Sequence, residues 1–300
     1  EAMRADAACV SEYQALTAKL PRMVFGYTQL SETRADMLLR QEMSAELTAA
    51  IAPIAKAPVS IDRDLRGLIN FGLSFDLLAA RKFARSLVDG WIEQPPACSA
   101  FAAIAQGAPQ WKESLARPIP PLITNLQGAF LELSQLKAEQ ALPTGGGTLS
   151  FYMRNPQVLV GMAQMFAPVL AEMPMEPGDA PQRVPENALP QLQGTGLEAW
   201  MAMGKNALGI AIGEDNVVAL SEAMKESDAD DLLMAGQMDF NVLTTLMEIA
   251  EQTLGSDETP EALVAQRASY QALAEVYEQA GFKLRLGDQG IDMLFEAKLR

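Results

Sequence analysis

The stretch FKLRLGDQGIDMLFEAKLR (282–300) decides the class of fold. Phe282, Leu284 and Leu286 alternate with Lys283 and Arg285, and beyond Gly287-Asp288-Gln289-Gly290 the residues Ile291, Met293, Phe295, Ala297 and Leu299 continue the same face. An alternation of period two marks a strand, and two such runs joined by a glycine-rich turn form a hairpin. A hairpin with one wet face belongs to an antiparallel sheet, and helices over its apolar side make an α+β fold, not a doubly wound nucleotide fold.

Working back from this hairpin, strand-like runs alternate with helical periods through the second half. The runs are GAFLELSQL, GTLSFYMR, LEAWMAMG, ALGIAIG and DLLMAGQM. Helices are predicted between them at about 156–171, 216–226, 240–254 and 260–280, the last with Thr259 as cap, Pro260 in its first turn and Gly281 as stop. Two strand-to-helix units, LSFYMRNPQVLVGMAQM and LMAGQMDFNVLTTLMEI, align so that Asn155 falls on Asp239 as helix caps. Either an internal strand–helix repeat or the common grammar of a strand entering a capped helix accounts for the match.

MAMGKNALGIAIGED (201–215) places glycines and a lysine between apolar runs. A phosphate-binding loop requires GxxxxGK followed by Ser or Thr, and the segment ending at Gly204-Lys205-Asn206 lacks both the first glycine and the hydroxyl. A turn at Lys205-Asn206 between two strands fits better. It puts Leu208, Ile210 and Ile212 on one face and Ala207, Gly209, Ala211 and Gly213 on the other, a smooth surface suited to close approach by a helix, a ligand or a partner strand.

The first half reads differently. In SETRADMLLRQEMSAELTAAIAPIAKA, Met37, Leu38, Leu47 and Ile51 recur near helical spacing behind a candidate cap at Ser31. Leu65, Leu68, Ile69 and Leu73, then Leu77, Ala84, Leu87, Val88 and Trp91, extend the pattern until Pro95 and Pro96 stop it. The expectation is an all-helical bundle domain over 1–120, then, past the prolines at 118, 120 and 121, an α+β domain with an antiparallel sheet over 121–300. A chain of 300 residues suits two cores. Charge marks the same division. Residues 1–125 hold 13 Lys+Arg against 13 Asp+Glu, and 126–300 hold 10 against 25, so the net charge of −15 lies entirely in the second part.

Composition excludes several chemistries. The chain has no histidine, which removes Ser-His-Asp and Cys-His catalysis and the usual zinc and non-haem iron sites. A strongly acidic balance without a basic stripe argues against nucleic acid; the short group Arg81, Lys82, Arg85 is a solvated helix face. The apolar run VLVGMAQMFAPVLAEM is broken by Gly161, Gln164 and Pro168, so no transmembrane helix is predicted. Ser134-Gln-Leu-Lys137 matches Ser-x-x-Lys, but on a strand the two side chains point to opposite faces. ESDADD (226–231) concentrates acids without the register of a calcium loop. No catalytic, cofactor-binding or metal site is assigned, and no cofactor is expected.

Cys9 and Cys98 are the only cysteines, and a disulfide between them is favoured over two inert thiols. Such a bridge implies an oxidising compartment. The start at Glu1 suits a mature exported protein and a trimmed chain equally. The stretch 168–196 carries six prolines without a period and is the candidate contact region, with Pro174, Met175, Pro177, Pro181, Pro185 and Pro190 at its surface. Met153, Met201, Met203, Met234, Met238 and Met293 all fall in predicted strands, as adaptable core filler or as a pliable binding surface.

A strand into RNPQVLVGMAQMF, a proline-rich loop and then MGKNALGIAIGED resemble the C-terminal parts of uncharacterised exported or lipid-anchored envelope proteins of Gram-negative bacteria, over about 120–300. The resemblance implies an envelope location and carries no known activity. The expected function is a non-enzymatic periplasmic or envelope binding or scaffolding protein whose partner is an envelope protein or a lipid-like ligand. The alternatives are a carboxylate-based hydrolase or isomerase using Asp215, Asp239 or Asp292, and a structural subunit of an oligomer.

Overall fold

The structure, a computed structural model, describes residues 7–55, 67–137, 144–225, 231–254 and 261–300. Helix α1 (Ala7–Lys19) leads into the hairpin β1 (Met23–Leu30) and β2 (Arg34–Glu42). Then come α2 (Ala45–Ile51) with a 3-10 turn at Ala52–Ala55, β3 (Ile69–Ser74), α3 (Leu77–Glu93), α4 (Ser99–Ala105), α5 (Ala108–Ala116) and α6 (Pro121–Asn125). The second half runs β4 (Leu126–Lys137), β5 (Thr144–Met153), α7 (Gln157–Phe166), β6 (Gln182–Arg183), β7 (Ala199–Met203), β8 (Ala207–Ile212), α8 (Val217–Ala223) and β9 (Leu232–Asp239). It closes with α9 (Asn241–Leu254), α10 (Glu261–Val276), β10 (Tyr277–Gly287) and β11 (Gly290–Leu299).

Among the described residues all eleven strands join one sheet in the order β1-β2-β11-β10-β9-β3-β4-β5-β8-β7-β6, and every pairing is antiparallel. The α+β class and the antiparallel sheet stand, but the all-helical N-terminal domain does not. Three strands of the first 120 residues enter this sheet: β2 pairs with β11, and β3 is the central strand between β9 and β4. The physical reason is visible in β2. Met37 and Leu39 point to one face, but Leu38 between them points to the other and meets Leu294, so both faces carry an apolar side chain and the period of two is blurred. Ser31 caps no helix; its N–H closes the β1–β2 turn on the Arg34 carbonyl at 2.8 Å. The helix there starts later, where Ser44 Oγ accepts from the Leu47 N–H at 3.2 Å. Leu68 and Leu73 likewise flank and occupy β3, and only from Leu77 is the helical reading met, in α3, capped by Asp76 and ended before Pro95.

The prolines near 120 produce the short helix α6, whose last residue adjoins β4, and strands from both sides of it hydrogen-bond in one sheet. Gly281 stops no helix: α10 ends at Val276, and Gly281 lies in β10 opposite Gln237 and Glu296. Thr259 and Pro260 lie outside the described residues. The hairpins read from sequence are both present. Met203 faces Leu208 across the Gly204–Asn206 turn, with the Gly204 N–H on the Ala207 carbonyl at 2.8 Å, and Leu286 faces Ile291 at the C-terminal one.

Of the two matched units, β9 enters α9 with the Asp239 carboxylate accepting from the Asn241 N–H at 2.8 Å. Asn155 makes no such cap. Its N–H donates to the Asn125 side chain and its carbonyl accepts from the same group, tying β5 to the end of α6.

Cys9 and Cys98 form a disulfide across a separation of 89 residues, joining α1 to the start of α4. Glu12 strengthens the joint by accepting from the backbone N–H groups of Ala97 and Cys98, and the Tyr13 ring stacks obliquely on Phe101 at 4.9 Å. Closing so long a loop stabilises by roughly 4 kcal/mol in the chain-entropy model. Helix α1 is otherwise exposed, and this joint holds it against α4.

The smooth side of β8 receives a helix. A methyl group on Gly209 would sit 2.6 Å from Leu220 Cδ1 and 2.8 Å from Met224 Cε, so α8 lies close enough to β8 that any side chain at 209 must displace these two. Gly209→Leu overpacks this contact and is expected to destabilise the protein by about 1–3 kcal/mol in denaturant unfolding, whereas Gly161→Ala, inside α7 with open space around it, stabilises by up to about 1 kcal/mol.

Candidate functional site

Residues directly opposite one another in an antiparallel pair share a face, so the register can be followed across the sheet. One row runs Phe25, Leu39, Met293, Leu284, Met234, Leu73, Ala129, Phe151, Leu208, Met203. The next runs Tyr27, Met37, Phe295, Phe282, Gly236, Phe71, Leu131, Leu149, Ile210, Met201, Gln182. A third runs Ala35, Ala297, Ala280, Met238, Ile69, Leu133, Gly147, Ile212, Ala199. These three rows contain no charged residue. Five of the six methionines singled out in the sequence stand here, and Met153, buried at the end of β5, does not.

The opposite face has another chemistry. Behind the second and third rows lies the line Asp36, Glu296, Gly281, Gln237, Asn70, Glu132, Thr148, Ala211, Trp200, Arg183. Between β9 and β7 this face is covered: α8 packs on it, and Phe130, Tyr152, Ala207, Leu232 and Ala235 form a buried cluster with Met224. Among the described residues the uncharged face is covered only at its ends. At one, Ile51 and Ala55 of the α2 segment, with Phe83 of α3, bury Leu286. At the other, Met203 and Leu208 are buried. In the middle it is open: Phe71 and Leu131, register partners on the two central strands, are 40% and 45% exposed, while Phe130, one residue from Leu131, is 2% exposed. The apolar side that the sequence suggests is roofed by helices is thus half open in the structure. Ten strands about 4.8 Å apart and three residues deep span roughly 43 by 14 Å, and the open part of that span lies over the middle strands.

The charged part of the other face is a cleft of about 420 Å³ over β2, β11, β10 and β9. Asp36 and Glu296 are register partners there, a juxtaposition of two carboxylates that distance in sequence hid. Arg34 reconciles them. Its Nε reaches Asp36 at 2.8 Å and its Nη2 reaches Glu296 at 3.1 Å, with Lys283 adding a contact to Glu296 at 3.7 Å. Hydrogen bonding and charge from Asp36 raise the pKa of Arg34 above its ordinary value, and Asp292, held in a fork at 2.6 and 2.5 Å, does the same for Arg40. These carboxylates are balanced by fixed cations, which suits a structural network.

The three acids weighed for catalysis are dispersed. Asp292 pairs with Arg40 on β2, Asp239 caps α9 from the far end of β9, and exposed Asp215, beyond β8, accepts from Gln135 at 3.1 Å. Asp239 and Asp292 face Gln279 and Arg285 of the same strand, six residues or about 20 Å apart, so no pair of them converges. Ser134 is engaged by Asn216, Oγ to Oδ1 at 2.6 Å, and by the Gly146 carbonyl, not by Lys137, which is exposed at the end of β4. Of the acidic run 226–231 only Asp231 is among the described residues, and it pairs with Arg285 at 3.3 Å. Arg81 donates to the carbonyls of Leu115 and Arg117, tying α3 to the end of α5.

The proline-rich stretch is more ordered than its composition suggests. It contains 3-10 turns at Pro168–Glu172, Glu186–Ala188 and Pro190–Leu192 and the strand β6. Pro174, Pro177 and Pro190 are exposed, and Met175, Pro181 and Pro185 are half-buried. Of the six, Pro185 alone lines the adjoining cleft of about 350 Å³, together with Arg183, Leu189, Leu197 and Glu198. Arg183 and Glu198 pair there at 2.8 Å.

Among the described residues no helix is long and apolar enough to cross a membrane. Comparison with protein-family models, with curated proteins and with solved structures returns no match.

Because Asp36 is 6% exposed and depends on Arg34, Arg34→Ala is expected to lower stability by about 1–2 kcal/mol, against less than about 0.5 kcal/mol for Lys298→Ala, whose pair with Glu278 is solvated. Chemical denaturation of the two variants under one buffer checks the ranking.

Proposed function

We propose that the protein is a non-enzymatic binding module of the bacterial envelope and that the uncharged sheet face holds a lipid-like, hydrocarbon ligand. One observation carries this reading: Phe71 and Leu131 stand open to water at the centre of a sheet whose reverse side is packed. A hydrocarbon chain asks for no hydrogen bonds, and the three rows offer almost none. Methionine side chains, unbranched and polarisable, adapt to chains of differing length and bend. The Cys9–Cys98 disulfide is compatible with an exported protein, which is where such a ligand is met. The dispersed acids lend no support to a carboxylate hydrolase.

A sixteen-carbon chain lying flat buries about half its surface, roughly 0.4 kcal/mol per methylene, which corresponds to a dissociation constant on the order of 10–100 µM. Displacement of a fluorescent acyl probe by palmitate is expected to show binding in that range. Leu131→Lys, which places a charge at the centre of the face, weakens it by about tenfold or more without changing the melting temperature by more than a few degrees. Absence of probe binding to the unmodified protein, or equal binding by Leu131→Lys, contradicts the reading.

A further inference from the structure

The two edges of the sheet are treated differently. One ends in β6, two residues long, which is a common way of blunting an edge. The other ends in β1, eight residues long, bonded to β2 on one side and, among the described residues, to nothing on the other. Met23 to Leu30 contain neither a charge nor a proline; Pro21, Arg22 and Glu32 stand outside the strand. Its side chains are exposed on both faces, with Met23 and Leu30 at 65% and 68%. A long neutral edge with free amides and carbonyls is a template for another strand.

We propose that β1 is the seam of a homodimer, in which β1 of a second copy adds antiparallel across a two-fold axis perpendicular to the sheet. Two observations favour a second copy of this chain as the occupant, and the neutrality of β1 keeps the mutual repulsion of two chains of net charge −15 away from the contact itself. An antiparallel strand pair is its own complement under a two-fold axis, so β1 needs no partner of different design. That axis also keeps each face on its own side, and Phe25 and Tyr27 belong to the rows of the uncharged face, so the apolar surface of one copy runs on into that of the next. The register shift between Tyr27 and Gln29 confines the regular pairing to the first part of the strand. The regular part, Met23 to Tyr27, spans about 17 Å, an interface at the small end of stable ones, so the dimer dissociates on dilution.

Sedimentation velocity of the full chain over a dilution series is expected to show a reversible monomer–dimer equilibrium with a dissociation constant on the order of micromolar. Val24→Lys/Tyr27→Lys, at two exposed positions, raises that constant tenfold or more with an unchanged circular dichroism spectrum, whereas Leu131→Lys leaves it within about twofold. In the unmodified protein, amide exchange within 23–30 slows as concentration rises, a readout that needs no variant. A monomer up to about 100 µM overturns the proposal, since an interface of this kind would be populated there. So does a dimer that Leu131→Lys abolishes and the β1 double variant retains, which would assign the contact to the open sheet face.

Discussion

The register of the antiparallel sheet is the constraint on which the rest depends. Side chains alternate strictly along a strand, so a slip of one residue exchanges the two faces. Here the register collects charge and hydrocarbon separately. Arg40, Asp292 and Arg285 fall in one line, and Met293, Leu284 and Met234 fall in the line beside it on the reverse side. Neither grouping is local in sequence, since β2 and β11 are separated by nearly the whole chain and are neighbours in the sheet. The Arg34–Asp36–Glu296 network, with Asp36 buried, also penalises any slip that would turn its members toward the hydrocarbon rows.

Helix placement follows from residue size on the two faces. Gly209 and Ala211 leave room for α8, and Ser150 and Thr148 beside them are small enough to be buried beneath it. On the reverse face, bulky Phe71, Leu131 and Phe295 leave no comparable groove, and the helices α2 and α3 reach only its corner at Leu286. A covered side and an open apolar side therefore result from the same alternation. The open side is the surface that the proposed binding function uses.

Much of this was legible in the sequence where alternation was clean. The hairpins at 282–299 and 199–212, the turn at Lys205-Asn206 and the helices after β5 and β9 follow from period and turn chemistry alone. The disulfide followed from there being only two cysteines. The first half misled because β2 carries Met37, Leu38 and Leu39 in succession, and because β1, an edge strand wet on both faces, shows no alternation at all. Residues at positions 37, 38, 47 and 51 then mimic a helical stripe. The candidate site was legible only in part: the methionines in strands were visible, but which face helices cover depends on tertiary packing, and so does the meeting of Asp36 with Glu296. The proline count of 168–196 did not show its 3-10 turns or the way β6 extends the sheet.

One face of the central strands is open and its reverse is packed. Carbene footprinting of the protein at low micromolar concentration, resolved to single residues, tests it most directly on the neighbours Phe130 and Leu131. Heavy labelling of Leu131 and Phe71 with little at Phe130 is expected. Equal protection of Phe130 and Leu131, or labelling of Phe130 in place of Leu131, would contradict it.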